Sequence, residues 1–176
     1  MSVQHSPDRE RAVRASLPVH PDQTLEFGPY RLRVDGLVGR PLELSTEDLR
    51  AMPRRVVVDD FACREGWLVP GLRWRGVAVA ELLAHAATLP EATWVQVSAG
   101  DFSLPLRLKE ARGALVALEL DGEPLTTEHG GPARLLVPGG ECFTSLKRID
   151  HIELQAEAGE NSARRVALAR LTRSDV

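Results

Sequence analysis

Three successive valines, Val56, Val57 and Val58, lie within the stretch from Arg55 to Phe61, which runs straight into Cys63. β-Branched residues in a short run suit a pleated, buried strand, so this stretch is expected to be a strand whose end carries a thiol. Trp67 and Trp74 follow that cysteine, in a chain whose only other cysteine is Cys142. The two cysteines differ in every neighbour, and a disulfide between them is not expected. A lone thiol at the end of an apolar run staples nothing, but its thiolate is a soft ligand for metals that carboxylates and imidazoles hold less well. The valines are core by default. Trp67 and Trp74 are expected to pack around the thiol and fix its loop.

Around that strand the chain alternates short extended segments with glycine and proline punctuation. Tyr30 to Val38 alternates apolar and polar residues as a half-buried strand does, and a hairpin-like continuation through Arg40 and Pro41 reaches Leu42 and Leu44. Ser45 with Asp48 three residues later has the form of a capping box, opening a short helix that ends before Pro53. Val77 to Ala87 has the apolar stripe and strong formers of a helix. Strands are expected over Thr93 to Ser98, Phe102 to Leu108 and Ala114 to Leu120, the last closed by a turn at Asp121-Gly122. Two more follow at Leu135 to Pro138 and Ile149 to Leu154. Residues 1–24 form a polar arm broken by Pro18 and Pro21, residues 25–155 one domain, and residues 156–176 a charged, alanine-rich tail with one exposed helix.

Several function classes fall away on composition. The net charge of -3, with basic residues scattered along the chain, gives no extended positive surface for a phosphate backbone, so nucleic acid is not an expected partner. No stretch reaches the about 18 to 20 apolar residues of a membrane-spanning helix. The first residues lack an apolar export segment, and the chain is expected to be cytoplasmic. There is no C-x-x-C-H, no cysteine set and no G-x-G-x-x-G, so haem, iron-sulfur and flavin groups are not expected in this chain. Zinc-site spacing is absent as well.

A second chemical feature lies downstream. The block Glu128-His129-Gly130-Gly131-Pro132-Ala133-Arg134 is too rich in glycine for regular structure, and Ser145, Leu146 and Lys147 follow it. Unhindered backbone N–H groups beside Ser, Arg and Lys are what an anionic phosphate needs. A bridge between Arg134 and Glu128 at the surface, or a turn capped by His129, is the plainer account of the same residues. A soft metal ligand together with a phosphate cradle implies a phosphorylated metal cofactor.

The ordered motifs are Ala62-Cys63-x-Glu65-x-Trp67, Trp74-x-Gly76-Val77, Leu120-Asp121-Gly122-x-Pro124-Leu125, His129-Gly130-x-Pro132-x-Arg134 and Ser145-x-Lys147. Over roughly residues 30 to 155 they resemble the molybdopterin-binding catalytic domain of the sulfite oxidase family. That resemblance implies an α+β fold of mixed, twisted β-sheets with short peripheral helices. It implies a molybdenum-molybdopterin cofactor and two-electron oxygen-atom transfer on a small oxyanion, S-oxide or N-oxide, with electrons exchanged with a separate partner. Carried over residue by residue, Cys63 corresponds to the metal-binding cysteine. Ser98, His129, Arg134, Ser145, Leu146 and Lys147 correspond to cofactor-binding positions, and Asp101 to an acidic corner near the metal with a catalytic role. The chain departs from the pattern in offering only Leu17-Pro18-Val19-His20-Pro21 for the usual N-terminal segment, in Glu141-Cys142 where many members have Tyr-Gly, and in Lys147-Arg148 for Lys-Trp. These departures motivate an alternative, a non-catalytic module that keeps the fold and the pterin without turnover.

Overall fold

The computed structural model describes residues 29–62 and 68–171. Alternation along the first strand, β1 (Leu32–Gly36), sets the frame: Leu32 and Val34 are fully buried and Arg33 is exposed. β2 (Leu42–Leu44) pairs antiparallel with it, and His151–Gln155, the last strand (β10), pairs parallel, with Val34 opposite Ile152. β5 (Trp94–Ala99) joins the other side of β10 and β6 (Phe102–Arg107) completes a mixed sheet in the order β2-β1-β10-β5-β6. The second sheet is antiparallel, with β3 (Arg54–Ala62), β4 (Leu68–Ala78), β7 (Leu115–Leu120) and β8 (Glu123–Pro124) in sequence order, and β9 (Arg134–Leu136) also on β7.

Four short helices complete the described part: α1 (Thr46–Ala51), α2 (Val79–His85), α3 (Leu108–Gly113) and α4 (Ser162–Leu171). The expected capping box is present, since Ser45 Oγ accepts from Asp48 N at 3.1 Å while Asp48 accepts from Ser45 N at 2.8 Å. Two apolar clusters lie on opposite sides of the second sheet. The larger includes Leu32, Val77, Leu82, Val95, Val116 and Ile152. The smaller gathers Phe61, Leu72, Trp74, Leu120 and Leu136. β4 and β7 approach so closely that a Cβ on Gly76 would lie 2.0 Å from the Val116 carbonyl oxygen, which is why no side chain is tolerated there. None of the described helices is long and apolar enough to cross a membrane.

Four features differ from the expected elements. Val56 and Val58 are 48% and 64% exposed, not core, because among the described residues no layer covers that face of the β3–β4 hairpin. The residues around Trp74, for which no element was expected, form a strand: the order Leu72-Arg73-Trp74-Arg75 alternates between a buried and an exposed face. Val77 and Ala78 end that strand, so the helix begins only at Val79. Leu108 opens α3 instead of closing β6, with Glu110 accepting from the Arg107 backbone N–H at 2.9 Å. The N-terminal arm, Cys63 and Trp67 lie outside the described residues.

Candidate functional site

Two chain segments are laced together by backbone hydrogen bonds, and this lacing builds the site. Leu135 N donates to Leu146 O at 2.9 Å, Ile149 N to Ala133 O at 3.1 Å and Arg148 N to Gly130 O at 3.0 Å. The glycine-rich loop and the 145–149 segment therefore run side by side. One strand further, Asp150 N donates to Ser98 O at 3.0 Å and ties the end of β5 to the same segment. The loop folds on itself, with His129 N and Gly131 N both donating to Thr126 O. Gly130 has φ +93, and a Cβ there would lie 2.9–3.0 Å from Lys147 atoms including Cα; one on Gly131 would lie 2.2 Å from Leu125 O. The glycines are what allow the loop to close this tightly on its neighbours.

At the centre is Arg134, only 5% exposed. Its Nε donates to Ser145 Oγ at 2.8 Å, and that hydroxyl donates onward to Leu135 O at 2.8 Å. Its Nη1 donates to His129 O at 3.1 Å. The guanidinium lies 4.8 Å from the Phe61 ring centroid and 5.4 Å from that of Trp74, within range of cation–π attraction. Burial lowers its pKa to about 10, with Cys142 nearby acting in the opposite direction, so it is charged at neutral pH. Lys147 donates to Glu128 O at 2.7 Å. Desolvation and the neighbouring Arg134 bring its pKa down to about 8, Glu128 acting against them.

Two cations are thus held together, one of them buried, and neither forms a salt bridge among the described residues. Arg134 Nη2 has no hydrogen-bond partner there either. A buried cation is stable only if something compensates it. The donor set of guanidinium, ammonium and hydroxyl beside a glycine loop fits an anionic group such as a cofactor phosphate.

The structure brings His129, Arg134, Ser145, Leu146 and Lys147 into one cluster. The side chain of Leu146 belongs to the main core, so its share in the cluster is its backbone. His129 does close a turn, its Nδ1 lying 3.0 Å from Thr126 Oγ1. The bridge from Arg134 to Glu128 is replaced by burial, and it is Lys147 that reaches the Glu128 carbonyl. Ser98 lines a recess of about 570 Å³ with Arg31, Arg33, Asp150 and His151. Asp101 is exposed at the β5–β6 turn, and its carbonyl accepts from Ser162 Oγ at 3.0 Å, so its described contact is with α4. Cys142 opens a short 3-10 turn, packed against the smaller cluster. Sequence reasoning missed Phe61 and Trp74 as the floor beneath Arg134; the period-two alternation around Trp74 was the available signal. Phe61 precedes Cys63 by two residues in the chain.

Comparison with known proteins gives the same direction. Residues 17–163 match the family described as the oxidoreductase molybdopterin binding domain. The chain is 34% identical over 144 residues to the uncharacterized oxidoreductase YuiH of Bacillus subtilis (strain 168), covering 80% of this chain and 71% of that protein. It is 31% identical to the protein-methionine-sulfoxide reductase catalytic subunit MsrP of Gluconobacter oxydans (strain 621H), over 78% of this chain and 50% of the relative. Among solved structures, the sulfane dehydrogenase SoxCD from Paracoccus pantotrophus superposes with a TM-score of 0.70 at 27% identity, covering 78% of this chain and 41% of that one. The chain therefore spans about half the length of the MsrP relative.

Proposed function

Because this chain belongs to the oxidoreductase molybdopterin binding domain family, we propose that it holds a molybdenum-molybdopterin cofactor and carries out two-electron oxygen-atom transfer on a small S-oxide, N-oxide or oxyanion. Its fold is the α+β fold of that family. The observation that carries the reading is the buried Arg134, held by Ser145 and His129 over two aromatic rings without a carboxylate partner among the described residues. The names of MsrP and SoxCD point to sulfur compounds, which puts S-oxides first.

The cofactor, when bound, supplies the two-electron change that such a transfer needs. Cys63 provides the thiolate that binds the metal. Arg134, Lys147, Ser145 and the backbone N–H groups of the glycine loop would hold the anionic tail, and His129 and Ser98 would contact the cofactor. Phe61 and Trp74 keep water from the guanidinium, so its charge acts in a low-dielectric setting. Reduction of an S-oxide to a sulfide consumes two electrons and two protons and releases water. The electrons are exchanged with a separate redox protein.

Elemental analysis tests this directly. Protein made in a host that synthesises the cofactor should contain near-stoichiometric molybdenum, and Cys63→Ser should lose most of it. Metal content unchanged in that variant would remove Cys63 as the ligand. Turnover of methionine sulfoxide, sulfite and an N-oxide with a dye as electron donor or acceptor then decides between an enzyme and a module that binds the pterin without reacting.

A further inference from the structure

β3 ends the second sheet: among the described residues its only strand partner is β4, so no strand runs along its other edge. Edges of this kind are commonly blunted by bulges, prolines or charges. The one irregularity in the β3–β4 pairing comes after Asp59, and the register from Arg54 to Asp59 is continuous. Val56 and Val58 lie exposed on one face of this stretch, opposite Arg75 and Arg73 of β4.

The order of charges along the edge is Arg54-Arg55-Val56-Val57-Val58-Asp59-Asp60. Turned end for end, it places arginines on aspartates and valines on valines. We propose that β3 pairs antiparallel with β3 of a second copy about a twofold axis at Val57. Arg55 then faces the partner's Asp59, Arg54 the partner's Asp60, and Val56 the partner's Val58. Matched positions lie on the same face of the joined sheet, where opposite charges and β-branched pairs attract, and the symmetry makes each contact occur twice. A parallel pairing would set arginine against arginine and aspartate against aspartate, so the charges also select the direction.

Contacts within the chain leave most of these charges available. Arg55 donates to the Gly113 carbonyl at 2.8 Å, Asp59 accepts from Gly139 N at 3.0 Å and Asp60 accepts from Gly71 N at 2.8 Å, all of them neutral partners. Arg54 already pairs with Glu119 at 2.7 Å and contributes less.

Sedimentation equilibrium of the full chain tests the pairing. The expected result is a species of twice the 19.3 kDa chain mass, weakened by high salt. Val58→Lys, at an exposed position, and Arg55→Asp should each raise the dimer dissociation constant about tenfold or more. Arg55→Asp combined with Asp59→Arg should restore it, because the attraction returns with its sense reversed. A wild-type chain that stays monomeric at about 100 μM overturns the proposal. So does a dimer indifferent to both single variants, or one that the charge swap fails to rescue.

Discussion

Arg134 carries its charge where little water reaches, and that sets two opposed requirements on one residue. For the cofactor-free chain the buried guanidinium is a cost; for an anion it is the main attraction. Arg134→Met should accordingly leave the cofactor-free protein between unchanged and about 1–4 kcal/mol more stable, while cofactor retained through purification falls to near zero. Denaturant titration and elemental analysis of the same preparation read the two effects separately, and a variant that loses both stability and cofactor would show Arg134 to be structural. Lys147 adds a pH signature. Its pKa is about 8 in the folded chain against an ordinary 10.5, so between these values the unfolded chain binds more protons than the folded one. Stability of the cofactor-free protein should therefore rise with pH from about 8 toward 10.5, and Lys147→Met should flatten that rise. A bound anion favours the protonated lysine, so stabilisation by added inorganic phosphate should fade as pH climbs through about 8. Melting curves across this range, with and without phosphate, check both signs.

At the scale of elements, the loop carrying His129 works because Gly130 has no side chain. Gly130→Ala adds strain at φ +93 and a Cβ 3.0 Å from the Lys147 Cα, a combined cost of about 1–3 kcal/mol. The loop should lift from the 145–149 segment and cofactor content should fall, while circular dichroism stays that of the wild type. Ser45→Ala is the matching probe at α1: it removes the hydroxyl that accepts from Asp48 N, leaves the Asp48 carboxylate on the residue-45 backbone N–H, and should cost about 1 kcal/mol in denaturant unfolding without touching cofactor content. That box was legible in the sequence because capping is local, a matter of two residues three apart. β1 and β10 were legible for a similar reason, each alternating within its own few residues, and β5 and β7 were legible as short apolar runs bounded by turn residues. What could not be read locally is which layer covers a strand. The valines of β3 have the composition of a buried element, but cover depends on how far the other sheet extends, and it stops short of Val56 and Val58. β4 was obscured by Pro70 and Gly71, which imitate a turn inside what is a continuous strand. The cluster of site residues could be assembled from motif order, whereas the aromatic floor under Arg134 depends on that unread strand.

Across the whole molecule, the two apolar clusters share their strands. β4 gives Val77 to the larger cluster and Leu72 and Trp74 to the smaller; β7 gives Val116 and Leu118 to one and Leu115, Ala117 and Leu120 to the other; β9 divides Leu135 and Leu136 in the same way. Neither cluster can come apart while these strands remain paired, so the described part should unfold as one unit. In the Val58→Lys background, where association does not enter, urea unfolding followed by tryptophan fluorescence and by far-ultraviolet circular dichroism should give coincident curves. Trp74 is fully buried in the smaller cluster and Trp94 lies on β5 in the first sheet, so fluorescence samples both sides of the shared layer. Leu82→Ala in the larger cluster and Leu72→Ala in the smaller each empty a fully buried site and should each cost about 2–5 kcal/mol. Both should move the same single transition to lower urea with its slope preserved. A Leu72→Ala curve that splits in two, with fluorescence lost before circular dichroism, would mean that the layer beneath Arg134 melts independently of the main core.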